Sequence, residues 1–187
     1  MELEIDMKLN HMLLGLTLIL SGAAHAQQME DAPAPPTPPG CTSLEGADEF
    51  DFFIGDWNVF NAKQQYVGRN VISKAYDGCF LFERWSGGRG GMDDGRSTSY
   101  KDPRDGKWVQ LWASPNTVID WKGGLVEPGK MRLEGEIVFF APGRSSAHAF
   151  RGDLTKNADG TLTQFLEWQA TEGEWSVWFD GTYVANE

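Results

Sequence analysis

From Trp57 to Tyr183 the chain breaks into short runs rich in Val, Ile, Phe, Tyr, Trp and Thr, separated by glycine or Asx turns at intervals of roughly 8–12 residues. That spacing leaves no room for helices of ordinary length and fits an antiparallel sandwich or barrel. Ten strands are expected, near 57–62, 67–76, 79–86, 95–101, 107–113, 116–122, 130–140, 146–156, 161–170 and 174–184. The one helical candidate is 48–54, where Phe50, Phe53 and Ile54 fall at i, i+3 and i+4. Ten short strands behind a single apolar turn suggest closure. The expected class is all-β, an antiparallel up-and-down barrel with a short N-terminal helical turn.

Turn chemistry fixes part of the register. Asn157-Ala158-Asp159-Gly160 reads as a type I turn with a glycine bulge, which sets Asn157 opposite Thr161 and Arg151 opposite Glu167. Glu172-Gly173 reads as a two-residue hairpin, pairing Ala170 with Trp175, Trp168 with Val177, Glu167 with Trp178, Leu166 with Phe179 and Phe165 with Asp180. Both registers give one apolar face, with Phe150, Leu154, Leu162, Leu166, Trp168, Trp175, Val177, Phe179 and Tyr183 pointing inward. The opposite face carries Arg151, Asp153, Glu167, Gln169, Glu174, Ser176 and Asp180. His148 and Gln164 are the polar residues on the inner side. Phe165 and Trp178 fall on the outer side, where the proline-rich segment or a second copy of the chain would cover them.

A two-residue turn at Asp77-Gly78 sets Ile72 opposite Glu83 and groups Leu81, Glu83 and Trp85 on one face, with Phe80, Phe82 and Arg84 on the other. Trp108, Gln110 and Trp112 alternate likewise with Val109, Leu111 and Ala113. Alternation alone leaves both orientations open. Ligand sites favour aromatic rings with an occasional carboxylate or amide, so Glu83, Trp85, Gln110 and Trp112 are assigned inward.

Composition limits the function. With 27 acidic and 16 basic residues the net charge is −11, and no Lys/Arg cluster offsets it, which argues against a nucleic-acid partner. Two cysteines are too few for a multi-cysteine zinc site. Cys41 and Cys79 are expected to form a disulfide that pins the end of the N-terminal linker to the barrel. The segment Thr155–Gly160 resembles the start of a calcium loop, yet its first position is threonine and its twelfth is Leu166. Gly87-Gly88-Arg89-Gly90-Gly91 lacks the lysine and helix of a phosphate loop and reads as a mobile loop over a barrel mouth. There is no Gly-x-Ser-x-Gly, and neither metal nor cofactor is expected.

Residues 1–26 read as a signal peptide: Lys8 is the positive flank, Met12–Leu20 the apolar run, and Ala24-His25-Ala26 supplies small residues at −3 and −1. Its removal would leave His148 as the last histidine, which restricts histidine-based catalysis. Residues 27–47 form a proline-rich linker, with Ala32-Pro33-Ala34-Pro35-Pro36-Thr37-Pro38-Pro39 favouring an extended chain. Residues 48–187 are the barrel domain, and a periplasmic or secreted location follows.

Phe50-Asp51-Phe52-Phe53-Ile54-Gly55-Asp56-Trp57 resembles the F-D-F-x-[IL]-G-x-W opening of an uncharacterised bacterial exported family of lipocalin-like barrels. Glu83-Arg84-Trp85, Trp108-Val109-Gln110-Leu111-Trp112 and Phe179-Asp180-Gly181-Thr182-Tyr183 are similar to its other recurrent pieces. The resemblance implies a small-ligand barrel whose base is closed by Trp57. It departs from lipocalins in having no arginine after Arg151, and from nitrobindin-type haem barrels in having no histidine near the C-terminus. The expected site is Trp57, Glu83, Trp85, Gln110, Trp112, His148, Gln164 and Tyr183, taking a small hydrophobic or aromatic molecule. The alternatives are a cofactor-free isomerase, cyclase or lyase using Glu83 as acid or base, and a ligand-free envelope interaction domain.

Overall fold

The structure is a computed structural model describing residues 40–88 and 94–186. The segments read as signal peptide and most of the linker, and the centre of the glycine loop, lie outside the described residues.

Ten antiparallel strands close into one barrel in which each strand pairs with its neighbours in sequence and β1 pairs with β10. They are β1 (Gly55–Asn61), β2 (Tyr66–Ala75), β3 (Phe80–Gly87), β4 (Gly95–Lys101), β5 (Trp108–Ser114), β6 (Thr117–Glu127), β7 (Lys130–Ala141), β8 (Arg144–Lys156), β9 (Leu162–Thr171) and β10 (Glu174–Ala185). Pairing of β1 with β10 closes the sheet, so every strand has a neighbour on both sides over part of its length. All ten expected strands are present. The helical candidate is only a 3-10 turn at Asp51–Phe53, preceded by another at Cys41–Ser43.

Up-and-down connectivity sorts the turns onto two ends. The start of β1 and the β2–β3, β4–β5, β6–β7 and β8–β9 turns lie at one end, which the N-terminal segment plugs. Phe50 and Phe53 are buried there and stack on one another at 5.5 Å. Phe50 meets Trp108 edge-on at 5.5 Å, and Phe53 leans on Tyr183 at 5.8 Å. The Trp57 indole N–H donates to the Phe53 carbonyl at 3.1 Å, tying the plug to β1. Outside this apolar contact, Lys74 pairs with Asp51 at 2.6 Å and Lys101 with Glu49 at 2.5 Å. The Cys41–Cys79 disulfide then fastens the segment's start to the β2–β3 turn, with the Cα atoms 5.3 Å apart.

The hairpin registers follow the turns where the strands are regular. Arg151 stands opposite Glu167 and donates to it at 2.8 Å, and Ile72 stands opposite Glu83. The β2–β3 turn is longer than two residues, with Tyr76, Asp77 and Gly78 all at positive φ, but it conserves the expected pairing.

Between β9 and β10 the expected register needs correction over its first half. A bulge between Glu174 and Ser176 sets Trp168 opposite Ser176 and Glu167 opposite Val177. A second bulge between Val177 and Phe179 restores the register, so Phe179 faces Leu166 and Asp180 faces Phe165 as expected. The extra residue of this second bulge is Trp178. An extra residue reverses the alternation locally. Trp178 therefore meets the buried Phe150 edge-on at 5.8 Å instead of sharing an outer patch with Phe165. Val177, expected inside, is 56% exposed, and Trp175 lies on the outside beneath the Arg151 guanidinium, 4.0 Å from its ring centroid.

Replacing Cys79 with alanine is expected to lower unfolding stability by roughly 3–4 kcal/mol, the loop-closure value for a link of this span. Denaturant titration of the variant against the oxidised wild type checks this. The same loss should appear when the wild type is reduced.

Candidate functional site

Among the described residues, only one end of the barrel is plugged. Above the plug lies a cavity of about 790 Å³, bordered at the opposite end by Asn61, Gln65 and Tyr66 of the β1–β2 hairpin, Gly88 after β3, and Ser114, Asn116 and Thr117 around the β5–β6 turn. A volume of this size suits a ligand of drug-like dimensions.

The wall is aromatic because the sequence alternates large rings with glycine on neighbouring strands. Trp85, Trp112, Trp121, Trp178, Phe179 and Tyr183 all line the space. A Cβ on Gly95 would fall 2.1 Å from the Trp112 ring, and one on Gly68 would fall 2.7 Å from the Trp85 ring. Each indole thus packs into the space that a side chain would take on the neighbouring strand, which leaves the lumen open. Glycine at these positions sets the ring orientation.

Below the rings the floor is polar and internally hydrogen-bonded. Glu83 on β3 is 7% exposed. Its Oε1 accepts from Asn70 Nδ2 at 2.6 Å, and its Oε2 accepts from Ser97 Oγ at 2.6 Å and, weakly, from Gln110 Nε2 at 3.5 Å. Gln110 also donates to Ser99 Oγ at 3.1 Å and accepts from the Trp121 indole at 2.7 Å. Tyr183 donates its hydroxyl to Gln164 Oε1 at 2.7 Å.

Burial dominates the acid–base behaviour of this floor. Desolvation pushes the Glu83 carboxyl above its usual range, and the hydrogen bonds from Ser97 and Asn70 offset only part of that shift. The Tyr183 hydroxyl is pushed up as well, by burial first and by the neighbouring Glu83 second. Asn70 is 1% exposed, and its Oδ1 has no hydrogen-bond donor. That orphan has a chemical explanation. An ionised Glu83 accepts from Asn70 Nδ2 as observed, whereas a protonated one needs an acceptor, which the Asn70 amide provides by turning over. The Asn70 orientation is coupled to the Glu83 proton.

Six of the eight expected site residues line the cavity: Glu83, Trp85, Gln110, Trp112, Gln164 and Tyr183. Trp57 does not. It belongs to the floor's underside, held by Phe53. His148 is also elsewhere, half-buried near the open end with Nδ1 3.0 Å from the Gln169 carbonyl and its ring between Trp168 at 5.1 Å and Phe139 at 6.0 Å. Its packing against two rings and its backbone partner account for its inward position.

Sequence reasoning passed over Asn70, Trp121 and Trp178. The first two were accessible: Ile72 opposite Glu83 sets Asn70 opposite Trp85 on the same face, and the β5–β6 turn sets Trp121 opposite Gln110. Trp178 carried only one hint, in that adjacent Trp178 and Phe179 can both face a lumen only across a bulge. No protein-family model matches the chain, and no curated protein does.

Because the folded-state pKa of Glu83 is raised, the native state holds its proton at pH values where the unfolded state has lost it. The resulting stability is complete below the ordinary glutamate pKa and declines as pH rises through the folded-state value. Glu83→Gln should flatten this alkaline decline. Urea denaturation of both proteins from pH 4 to pH 9 measures it; parallel curves would place Glu83 in contact with solvent. Separately, Gly95→Ala should displace the Trp112 ring and cost roughly 1–3 kcal/mol by overpacking, seen as a shifted tryptophan emission and a lower denaturation midpoint.

Proposed function

We propose that this protein is an exported binding barrel for a small, largely apolar or aromatic molecule. The observation that carries the reading is the cavity lined by tryptophans over a largely buried polar floor. A barrel built only as a scaffold would gain stability by filling that space with side chains. Here Gly68 and Gly95, against which the Trp85 and Trp112 rings pack, keep it open. Few convergent polar groups beneath a broad apolar wall is the usual composition of a small-molecule site.

Export is supported by the disulfide, which persists in oxidising compartments, and by the signal-like pattern of residues 1–26. Likeness to the lipocalin-like exported family is supported by the Gly55-Asp56-Trp57 opening and by closure of the sheet.

A second reading, acid–base catalysis on the bound molecule, is favoured by Glu83, a carboxyl that lines the cavity and that burial shifts above its ordinary value.

Isothermal titration with 2-(1-naphthyl)ethanol tests the binding reading. One saturable site with a micromolar dissociation constant is expected, weakened at least tenfold by Ser114→Trp, which places a ring at the mouth. Absence of saturable binding by this probe and by its ionic counterparts would overturn the assignment.

A further inference from the structure

The residues that line the cavity are unequal in charge. Among the described lining residues there is no lysine, arginine or histidine, and Glu83 is the only carboxyl. Four basic groups of the surrounding strands are paired on the outer surface, Arg69 with Asp56, Arg132 with Asp153 at 2.6 Å, Arg151 with Glu167 at 2.8 Å, and Lys122 with Asp105 at 2.8 Å, and Arg96 donates to the Trp85 and Gly95 carbonyls. None reaches Glu83 through the wall.

The hydrogen-bonding balance points the same way. The side-chain donors that touch Glu83 are already used, Ser97 on Glu83 and Gln110 on Ser99 and Glu83, and beyond them Trp121 donates to Gln110 and Tyr183 to Gln164, whose own amide nitrogen makes no hydrogen bond among the described residues. Asn70 gives its amide hydrogens to Glu83 and, at 3.5 Å, to the Tyr183 oxygen. What remains unfilled around Glu83 is acceptor capacity. A carboxylate offers about four lone-pair sites, and Glu83 has three contacts; Asn70 Oδ1 has none. A ligand that brings acceptors finds no free donor among the groups bonded to Glu83, while one that brings several N–H donors finds acceptor capacity on both Glu83 and Asn70.

Resting on the binding function proposed above, we infer that the ligand is a cation, an amine or amidine carried on an apolar or aromatic body, with Glu83 as its counter-ion and Asn70 Oδ1 as a second acceptor. The aromatic wall supports the positive charge as well as the body. Tryptophan and tyrosine faces attract cations by their quadrupole, most strongly where water is excluded. The net charge of −11 draws cations toward the molecule. Seating the ammonium beside Glu83 favours the carboxylate, so the carboxyl gives its proton to solvent as the ligand's N–H groups take its place. In that state the Asn70 amide is oriented as observed, Nδ2 toward Glu83 and Oδ1 free for the ligand.

The groups that face Glu83 from the surrounding strands are Asn70 of β2, Ser97 of β4, Gln110 of β5 and Tyr183 of β10. Only Tyr183 among them titrates, and its hydroxyl is shifted further above its ordinary alkaline value. The pH dependence of cation binding below pH 9 therefore reports Glu83.

Isothermal titration of the full-length oxidised protein with three probes of one shape, 2-(1-naphthyl)ethylamine, 2-(1-naphthyl)ethanol and 1-naphthaleneacetate, tests the inference. The amine should bind at least tenfold more tightly than the alcohol and the carboxylate more weakly than either. The amine's advantage should shrink as pH falls through the Glu83 transition, with proton release visible as a dependence of the heat on buffer ionisation. Glu83→Gln should reduce the amine-to-alcohol ratio to within about twofold. The wild-type comparison stands alone if that variant does not fold. Binding of the alcohol as tightly as the amine overturns the cation assignment and leaves the binding function intact. Failure of all three probes overturns both.

Discussion

Closure of ten strands into one cylinder is the constraint on which everything else here depends. Eight strands give an interior that side chains just fill or that holds one small ligand, and the diameter grows with each strand added. A ten-stranded barrel of ordinary residues has more interior than its own side chains occupy. This chain resolves the excess unequally. The segment before β1 folds back over one end, where Phe50 and Phe53 fill the gap between Trp57, Trp108 and Tyr183. At the other end no described residue inserts, and the inner wall there pairs tryptophan with glycine.

From that asymmetry follows the chemistry of the floor. A carboxyl placed midway between plug and lumen loses most of its water, and Glu83 has no cation within the barrel to replace it. It is held by neutral donors from β2, β4 and β5, so both protonation states can be accommodated, one with each orientation of Asn70. A site with this flexibility is better suited to receiving charge from a ligand than a preformed internal ion pair would be. An internal pair would satisfy itself and leave the ligand only an apolar wall.

The parts of the fold that could be read from the sequence were those set by turns. Asn157–Gly160 fixed the β8–β9 register through Arg151 and Glu167, and Asp77-Gly78 placed Glu83 and Trp85 on a common face even though the turn proved longer than two residues. Bulges broke the same reasoning in β10. No turn residue announces them, and Trp175, Val177 and Trp178 all changed sides as a result. The inward assignment of Glu83, Gln110 and Trp112 came from the chemistry of ligand sites and agreed with the structure. The role of Gly68 and Gly95 was hidden because a glycine's effect on a ring of the neighbouring strand depends on register, not on local sequence. His148 illustrates the opposite error: its face was right, but a half-buried imidazole between two rings needs no ligand to explain it.

Ligand charge selection in this barrel depends on a desolvated Glu83 lacking a cation of its own. Carbon-13 NMR titration of the Glu83 side-chain carboxyl measures this directly. A midpoint clearly above the ordinary glutamate value of about 4.3 in the free protein is predicted, falling when 2-(1-naphthyl)ethylamine is added. A midpoint at or below the ordinary value in the free protein would contradict it, because the carboxyl would then be hydrated or already paired.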